Sequence, residues 1–249
     1  MNAAVVCAVL LAVAPILSAQ GGFRDLLESG TAQQVLEAVT AGADVRGSDR
    51  AGVTPLMIAA ARNPDPGVEL VLVAAGAHAD ERDWVDVTPL MYAARSNPSP
   101  AVITALLQSG ACVDQEDDAG ATALLYAAEF NRSPSVVEAL LQGGARVDHR
   151  GPSGVTALMA ASRGNPEPGV VRALLDAGAQ VNAKNVTGMT PLLFAAQSAV
   201  TPDVIPLLLA AGADPRAVGP GGETAISLAR KNDALRGTAA MGALLRAAR

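Results

Sequence analysis

Apolar and polar positions return along this chain at a fixed interval of 34 residues. A short apolar segment follows each of six threonines, at positions 54, 88, 122, 156, 190 and 224. Two of these segments read Thr54-Pro-Leu-Met-Ile-Ala-Ala60 and Thr88-Pro-Leu-Met-Tyr-Ala-Ala94. Self-similarity at a period of about 20 to 50 residues is typical of repeat architectures. The pattern therefore predicts a stack of similar units.

Each unit carries signals for two short helices. Threonine is a favourable N-cap, and proline suits the first helical position, so a helix is predicted to begin after each threonine. Leu56, Ala59 and Ala60 then share one face, where small residues let a neighbouring helix approach closely. An Asn-x-x-Pro loop ends this helix. The prolines predicted to begin the second helix are Pro66, Pro100, Pro134, Pro168 and Pro202.

The second helix is predicted to end at a Gly-Ala pair that leads into a short arm. Glycine just past a helix readily adopts the left-handed conformation that satisfies the last carbonyl groups. The arm returns through a tight turn to the next threonine, and glycine marks most of these turns, as at Gly52 and Gly120. Asp86 stands at that place in the second repeat.

The order of turn, Gly-x-Thr-Pro-Leu-x-x-Ala-Ala, second helix and Gly-Ala-x-Val-Asp resembles the ankyrin repeat. The resemblance implies an all-α ankyrin-repeat solenoid of helix-turn-helix units with short β-turn or hairpin arms, about seven units including two caps. The histidine usual in that family after Thr-Pro-Leu is replaced here, for example by Met57 and Met91. We expect apolar packing to replace the polar contact of that histidine, so that register depends on the alanine faces.

The chain divides into a predicted signal peptide and one repeat domain. Residues 1–19 combine an apolar segment with small residues before a cleavage position, which is typical of export signals. Residues 20–249 form the domain: an N-terminal cap unit at about 21–48, repeats 49–82, 83–116, 117–150, 151–184 and 185–218, and a C-terminal cap unit at 219–249. The expected product is periplasmic or secreted, without stable membrane insertion after cleavage; an uncleaved N-terminal anchor is the alternative.

Composition narrows the classes of partner. The formal net charge is −6 and the pI is about 4.9, so no basic surface for nucleic acid is expected. Removing residues 1–19 leaves Cys112 as the remaining cysteine, which excludes an intramolecular disulfide. A monomer that binds a protein partner is expected.

Motifs for catalysis are absent from the sequence, and we expect no cofactor and no catalytic residue. His78 and Cys112 lie one period apart and so occupy equivalent places on adjacent units. About 8–10 Å, the usual distance between packed helices, should therefore separate the two residues. Zinc requires donors about 2.0–2.3 Å from the metal, which argues against a metal site. Two alternatives to a binding function stay open: a structural or protective role under oxidative stress, motivated by Met57, Met91 and Met159, and an unrecognised hydrolase or metal enzyme.

The resemblance also implies where a partner would bind, because ankyrin repeats vary at the arm tips and just after the Ala-Ala pair. The tips are Arg50, Trp84, Asp118, Pro152 and Val186, and the helix-end row is Arg62, Arg95, Glu129, Phe130, Arg163 and Gln197. Trp84 either contacts a partner or folds back over its turn, and Phe130 either contacts a partner or packs on its own helix. Arg62, Arg95 and Arg163 form either a positive row or solvated helix ends.

Overall fold

The computed structural model describes residues 20–248, and within this range the chain folds into seven successive helix pairs. The proposed signal peptide, residues 1–19, lies outside the described residues. In chain order the helices are α1 Gln20–Ser29, α2 Ala32–Thr40, α3 Pro55–Arg62, α4 Pro66–Ala74, α5 Pro89–Ser96, α6 Pro100–Gln108, α7 Ala123–Phe130, α8 Pro134–Gln142, α9 Ala157–Gly164, α10 Pro168–Asp176, α11 Pro191–Ser198, α12 Val204–Ala210, α13 Ala225–Ala229 and α14 Ala239–Ala247. The predicted all-α solenoid is confirmed.

The first helix of each repeat begins where the threonine pattern predicts. The Thr54 and Thr88 hydroxyls accept hydrogen bonds from the backbone N–H groups of Met57 and Met91, at 3.4 and 3.3 Å. In return, each methionine sulfur accepts the N–H of its threonine at 3.4 Å. Sulfur is a weak acceptor, but it satisfies a buried donor that a purely apolar side chain would leave without a partner.

Helices pack in two layers, first helices on first helices and second helices on second helices. Leu56, Ala59 and Ala60 are fully buried in the layer of first helices, as their spacing predicts. The small alanine side chains allow α3 and α5 to pack closely. One continuous apolar core therefore runs the length of the stack.

A ladder of buried asparagines helps to fix the register between units, in addition to the alanine faces on which the sequence-based expectation rested. The Asn97 side-chain N–H₂ donates to the carbonyls of Ala60 and Asn63 in the preceding unit, at 2.9 and 2.7 Å. Its carbonyl accepts the backbone N–H of Ser99 at 3.0 Å. Asn63, Asn131 and Asn165 repeat this arrangement. A slip of one unit against the next would break buried hydrogen bonds, which is costly.

The arms form a second ladder on the opposite end of each unit. The Asp80 carboxylate accepts the backbone N–H of Cys112 at 2.7 Å, and Asp114 accepts that of Arg146 at 3.0 Å. Between residues 20 and 248 the arms are tight turns and not strands, with one isolated bridge between Val218 and Thr224. Asp86 adopts the left-handed conformation at φ 61°, as its place in the turn requires.

The repeat at 185–218 departs from the predicted pattern. Its second helix begins at Val204, so the predicted start at Pro202 is wrong. Ala199 stands where the other repeats have asparagine, and it offers no side-chain carbonyl to the N–H groups of the loop. The loop therefore lacks the hydrogen bond that orients the second helix elsewhere, and residues 200–203 form a bend and a turn.

No helix in the described part of the chain has both the length and the apolar character required to cross a membrane.

Candidate binding surface

Arm residues and first-helix residues from successive units face one shared groove. Between residues 24 and 96 this groove has a volume of about 670 Å³, and its lining includes Asp49 from an arm, Arg62 from α3, and Tyr92 and Arg95 from α5. We call the side of the molecule that carries this groove, the arm tips and the ends of the first helices the groove side.

Trp84 lies at an arm tip with 75% of its surface exposed. Its backbone N–H donates to the Ala51 carbonyl at 3.1 Å, which joins this arm to the preceding one. A Cβ on Gly52 would lie 2.8 Å from the Trp84 Cδ1 atom, so one edge of the indole rests against that glycine. The ring is held at one edge and exposed over the rest, a combination of the two alternatives.

Phe130 is 47% exposed at the end of α7 and takes part in a small aromatic cluster. Its ring centroid lies 6.3 Å from that of Tyr126 on the same helix. The Arg95 guanidinium of the preceding unit lies over the Phe130 ring, 4.9 Å from its centroid, within the range of a cation–π interaction. Phe130 therefore packs partly on its own helix and also orients Arg95.

Two tyrosines connect the arms to the first helices through hydrogen bonds that were not predicted from the sequence. The Tyr92 hydroxyl donates to Asp83 at 2.8 Å, and the Tyr126 hydroxyl donates to Asp117 at 2.7 Å. Burial, together with the Asp83 carboxylate, raises the pKa of Tyr92 to about 12, and burial beside Asp117 also raises the pKa of Tyr126. Both phenols stay protonated donors. The available signal was an Asp and a Tyr nine residues apart in two consecutive repeats.

The hypothesis of a free positive row is wrong. Arg62 forms an ion pair with Glu28 at 3.3 Å, and Arg163 forms one with Glu129. In both pairs the carboxylate lies 34 residues earlier, one unit back along the stack. Among the residues described, Arg95 has no ion pair; its contact is the Phe130 ring. Charge at this row is therefore mostly neutralised.

The remaining predicted residues are exposed but make few contacts. Arg50 and Asp118 are exposed at arm tips, and the Asp118 backbone N–H donates to the Val85 carbonyl at 3.2 Å. Val186 is 75% exposed, and its backbone N–H donates to Ser153 at 3.0 Å. Gln197 is exposed at the end of α11. Backbone contacts thus set the tip positions, and the side chains there are free to differ.

The described residues contain no group of three or more histidine, cysteine, aspartate or glutamate side chains placed to hold a metal ion. His78 and Cys112 are both exposed on their arms, and Cys112 carries a free thiol.

A continuous stack of helix pairs that presents variable turn tips along one side defines a repeat scaffold. The family model described as "Ankyrin repeats (3 copies)" matches residues 56–151 and 124–218, which together exceed half of the chain. The chain belongs to the ankyrin repeat family. It is similar to the crystal structure of the human ASB11 ankyrin repeat domain, with a TM-score of 0.74 and 26% sequence identity, over 90% of this chain and 96% of that one. The search of curated proteins finds no match.

Proposed function

We propose that this chain binds a protein partner, without catalysis, on the concave groove side of its solenoid. Ankyrin repeats are in general scaffolds for protein–protein interaction. The observation that supports the groove side here is the distribution of aromatic side chains. The chain has six aromatic residues, and Trp84, Tyr92, Tyr126 and Phe130 lie within the short stretch from residue 84 to 130. Tryptophan, tyrosine and arginine dominate the binding energy of many interfaces.

Rigidity supports the same surface. Gly52 lies against one edge of Trp84, Asp83 accepts a hydrogen bond from Tyr92, and the Phe130 ring contacts Arg95. Side chains that are already fixed lose less conformational entropy when a partner binds. We therefore expect the contact to be centred on Trp84 and Arg95, with Arg50 and Asp118 at its edges. Gln197 and the paired residues Arg62, Glu129 and Arg163 should contribute less.

The chain offers a matched control for this proposal. Val186 and Gln197 occupy the same repeat positions as Trp84 and Arg95, three units later, and Val186 is as exposed as Trp84. The test compares the double variant Trp84→Ala/Arg95→Ala with Val186→Ala/Gln197→Ala in quantitative co-purification from extracts of producing cells. The first should lose at least tenfold of the co-purified partner while its melting temperature stays within about 2 °C; the second should lose little. Equal recovery by both variants would contradict the proposal.

We also propose that residues 1–19 direct export and are removed. The apolar segment followed by small residues supports this proposal, and the alternative is an uncleaved anchor. Intact-mass analysis of the mature product from an exporting cell tests it. We expect the extracytoplasmic fraction to contain a product whose mass is that of a chain beginning at Gln20. A full-length product retained with the membranes would favour an uncleaved N-terminal anchor.

The protective role under oxidative stress draws no support from the structure. Met57, Met91 and Met159 are buried, with at most 1% of their surface exposed. An oxidant would reach them only after the repeats open, so they are not available as sacrificial groups in the folded chain.

A further inference from the structure

Glu69 is a buried carboxyl group without a hydrogen-bond partner. It lies in the first turn of α4, and none of its surface is exposed. Neither side-chain oxygen is hydrogen-bonded to any of the described residues. Because burial without a partner strongly disfavours a charged carboxylate, this group must either stay protonated or destabilise the packing around it.

The scaffold itself does not require a carboxyl group at this place. The equivalent positions of the following four repeats are Ile103, Val137, Val171 and Ile205, and that of the N-terminal cap unit is Val35; all five are buried. Each of these is a branched aliphatic residue. Glu69 is therefore a departure confined to one unit, where it interrupts an otherwise apolar column.

No cation is placed to compensate Glu69 from the helices packed against α4, which are α2, α3 and α6. α6 contains no ionisable residue. α2 contributes Glu37, which is exposed and accepts from Gln33, and α3 contributes Arg62, which is exposed and paired with Glu28. Asp65, the N-cap of α4 itself, adds further negative charge near the carboxyl group.

We propose that Glu69 makes the packing of α4 between α2 and α6 dependent on pH, so that loss of its proton opens the N-terminal units of the solenoid. Repeat stacks open unit by unit from their ends, because each unit contacts only its neighbours. The units formed by α1 to α4 can therefore loosen while α5 to α14 stay folded. Arg62 and Asp49, which line the groove, belong to the part that opens.

The sign of the effect follows from the direction of the shift. Burial raises the pKa of Glu69 from 4.5 to about 8; the backbone N–H group of Glu69 itself opposes this shift, and the charge of Asp65 adds to it. The folded chain therefore binds a proton that the opened chain releases. Stability from this group is complete below pH 4.5, decreases as the pH rises from about 4.5 to 8, and levels off above pH 8.

Hydrogen exchange of the full chain, followed by mass spectrometry between pH 5 and 9 and corrected for intrinsic rates, tests this inference. Variants Glu69→Gln and Glu69→Ile remove the titration, and Ile copies positions 103 and 205. Glu138→Gln is the control, because Glu138 is an exposed glutamate on another second helix, α8. The opening equilibrium constant of α2 and α4 in the unaltered chain should rise up to tenfold per pH unit between pH 5 and 8. It should then reach a plateau.

In Glu69→Gln and Glu69→Ile this rise should disappear, whereas Glu138→Gln should keep it. If Glu69→Gln fails to fold, the comparison is carried by Glu69→Ile. An unaltered chain whose α2 and α4 protection has the same pH dependence as in Glu69→Ile would overturn the proposal. An equal loss of protection in α9 to α12 would also overturn it, because the opening would then not be local.

Discussion

The repeats at 83–116 and 185–218 share one scaffold and present different surfaces. Both begin their first helix at a threonine followed by proline, and both place an exposed apolar residue at the arm tip. The earlier repeat has Trp84 and Arg95 where the later one has Val186 and Gln197. It also has Tyr92 bonded to Asp83, where the later repeat has Phe194 and Asn185 without such a bond.

The two repeats also differ in how they are held to the unit before them. Asn97 donates two hydrogen bonds to the preceding unit, and Ala199 at the equivalent position donates none from its side chain. The repeat with the rigid attachment is the one that carries the aromatic and arginine side chains of the proposed contact. In these two repeats, attachment through a buried asparagine and a preorganised surface occur together.

Loss of the hydrogen bonds that Asn97 donates to the preceding unit should have the largest effect on stability. Asn97→Ala removes both buried donors and leaves the Ala60 and Asn63 carbonyls without these partners, so we expect it to lower the free energy of unfolding by about 2–4 kcal/mol. Urea denaturation followed by circular dichroism measures the change. Asn182→Ala, at an exposed arm position, should cost less than half as much; a loss for Asn97→Ala below about 0.5 kcal/mol would contradict the role of the ladder.

Removal of the tip side chains should weaken partner binding more at the earlier repeat than at the later one. Trp84→Ala should lower the affinity for the partner about 30-fold, which corresponds to about 2 kcal/mol, because tryptophan side chains often dominate the binding energy of an interface. Val186→Ala should weaken it less than threefold. Titration of the purified partner by calorimetry gives both values. Similar losses at the two tips would place the contact along the whole stack and not at the earlier repeat.

The link between arm and helix should make a smaller contribution. Tyr92→Phe removes a hydrogen bond to the Asp83 carboxylate and should cost about 1–1.5 kcal/mol of stability at pH 7. Phe194→Tyr in the later repeat should change stability by less than about 0.5 kcal/mol, since the Asn185 side-chain carbonyl already accepts hydrogen bonds from Thr187 and Met189. Thermal denaturation of both variants checks this asymmetry, and equal changes would contradict it.

Introducing the missing asparagine into the repeat at 185–218 should have the smallest effect on stability. Ala199→Asn places a donor beside the carbonyls of Ser162 and Asn165 and an acceptor near the loop, so we expect about 0.5–1 kcal/mol of added stability. Urea denaturation is again the measurement. A loss of stability would mean that the altered loop before Val204 no longer accepts the asparagine geometry.

The 34-residue pattern predicted most of the fold, because each unit repeats the same local signals. Threonine, proline and glycine act through local backbone geometry, so the first helices begin after the threonines, as at Pro55 and Pro89, and Gly76 adopts a positive φ of 102°. The role of Asn97 was missed, because its hydrogen bonds reach 34 and 37 residues back along the chain. A loop asparagine gives no local sign of such contacts.

The candidate surface was predictable in its positions but not in its contacts. Trp84 and Arg95 were identified because they stand where the repeats differ and where the resemblance to ankyrin repeats implies a partner contact. The neutralised arginines were missed, although oppositely charged residues one period apart, such as Glu129 and Arg163, carried the signal. Glu69 was missed because its neighbours Val68 and Leu70 are apolar, and only comparison across units shows that a carboxyl group occupies an aliphatic position.

We propose that a partner contacts the arm tip of the repeat at 83–116 and not that of the repeat at 185–218. Site-specific incorporation of a photoreactive phenylalanine at position 84 or 186, in cells that produce the full chain, tests this contact. Irradiation should yield one defined cross-linked protein from position 84 and none above background from position 186. Cross-linking of the same protein only from position 186, or equally from both positions, would contradict a contact centred on Trp84.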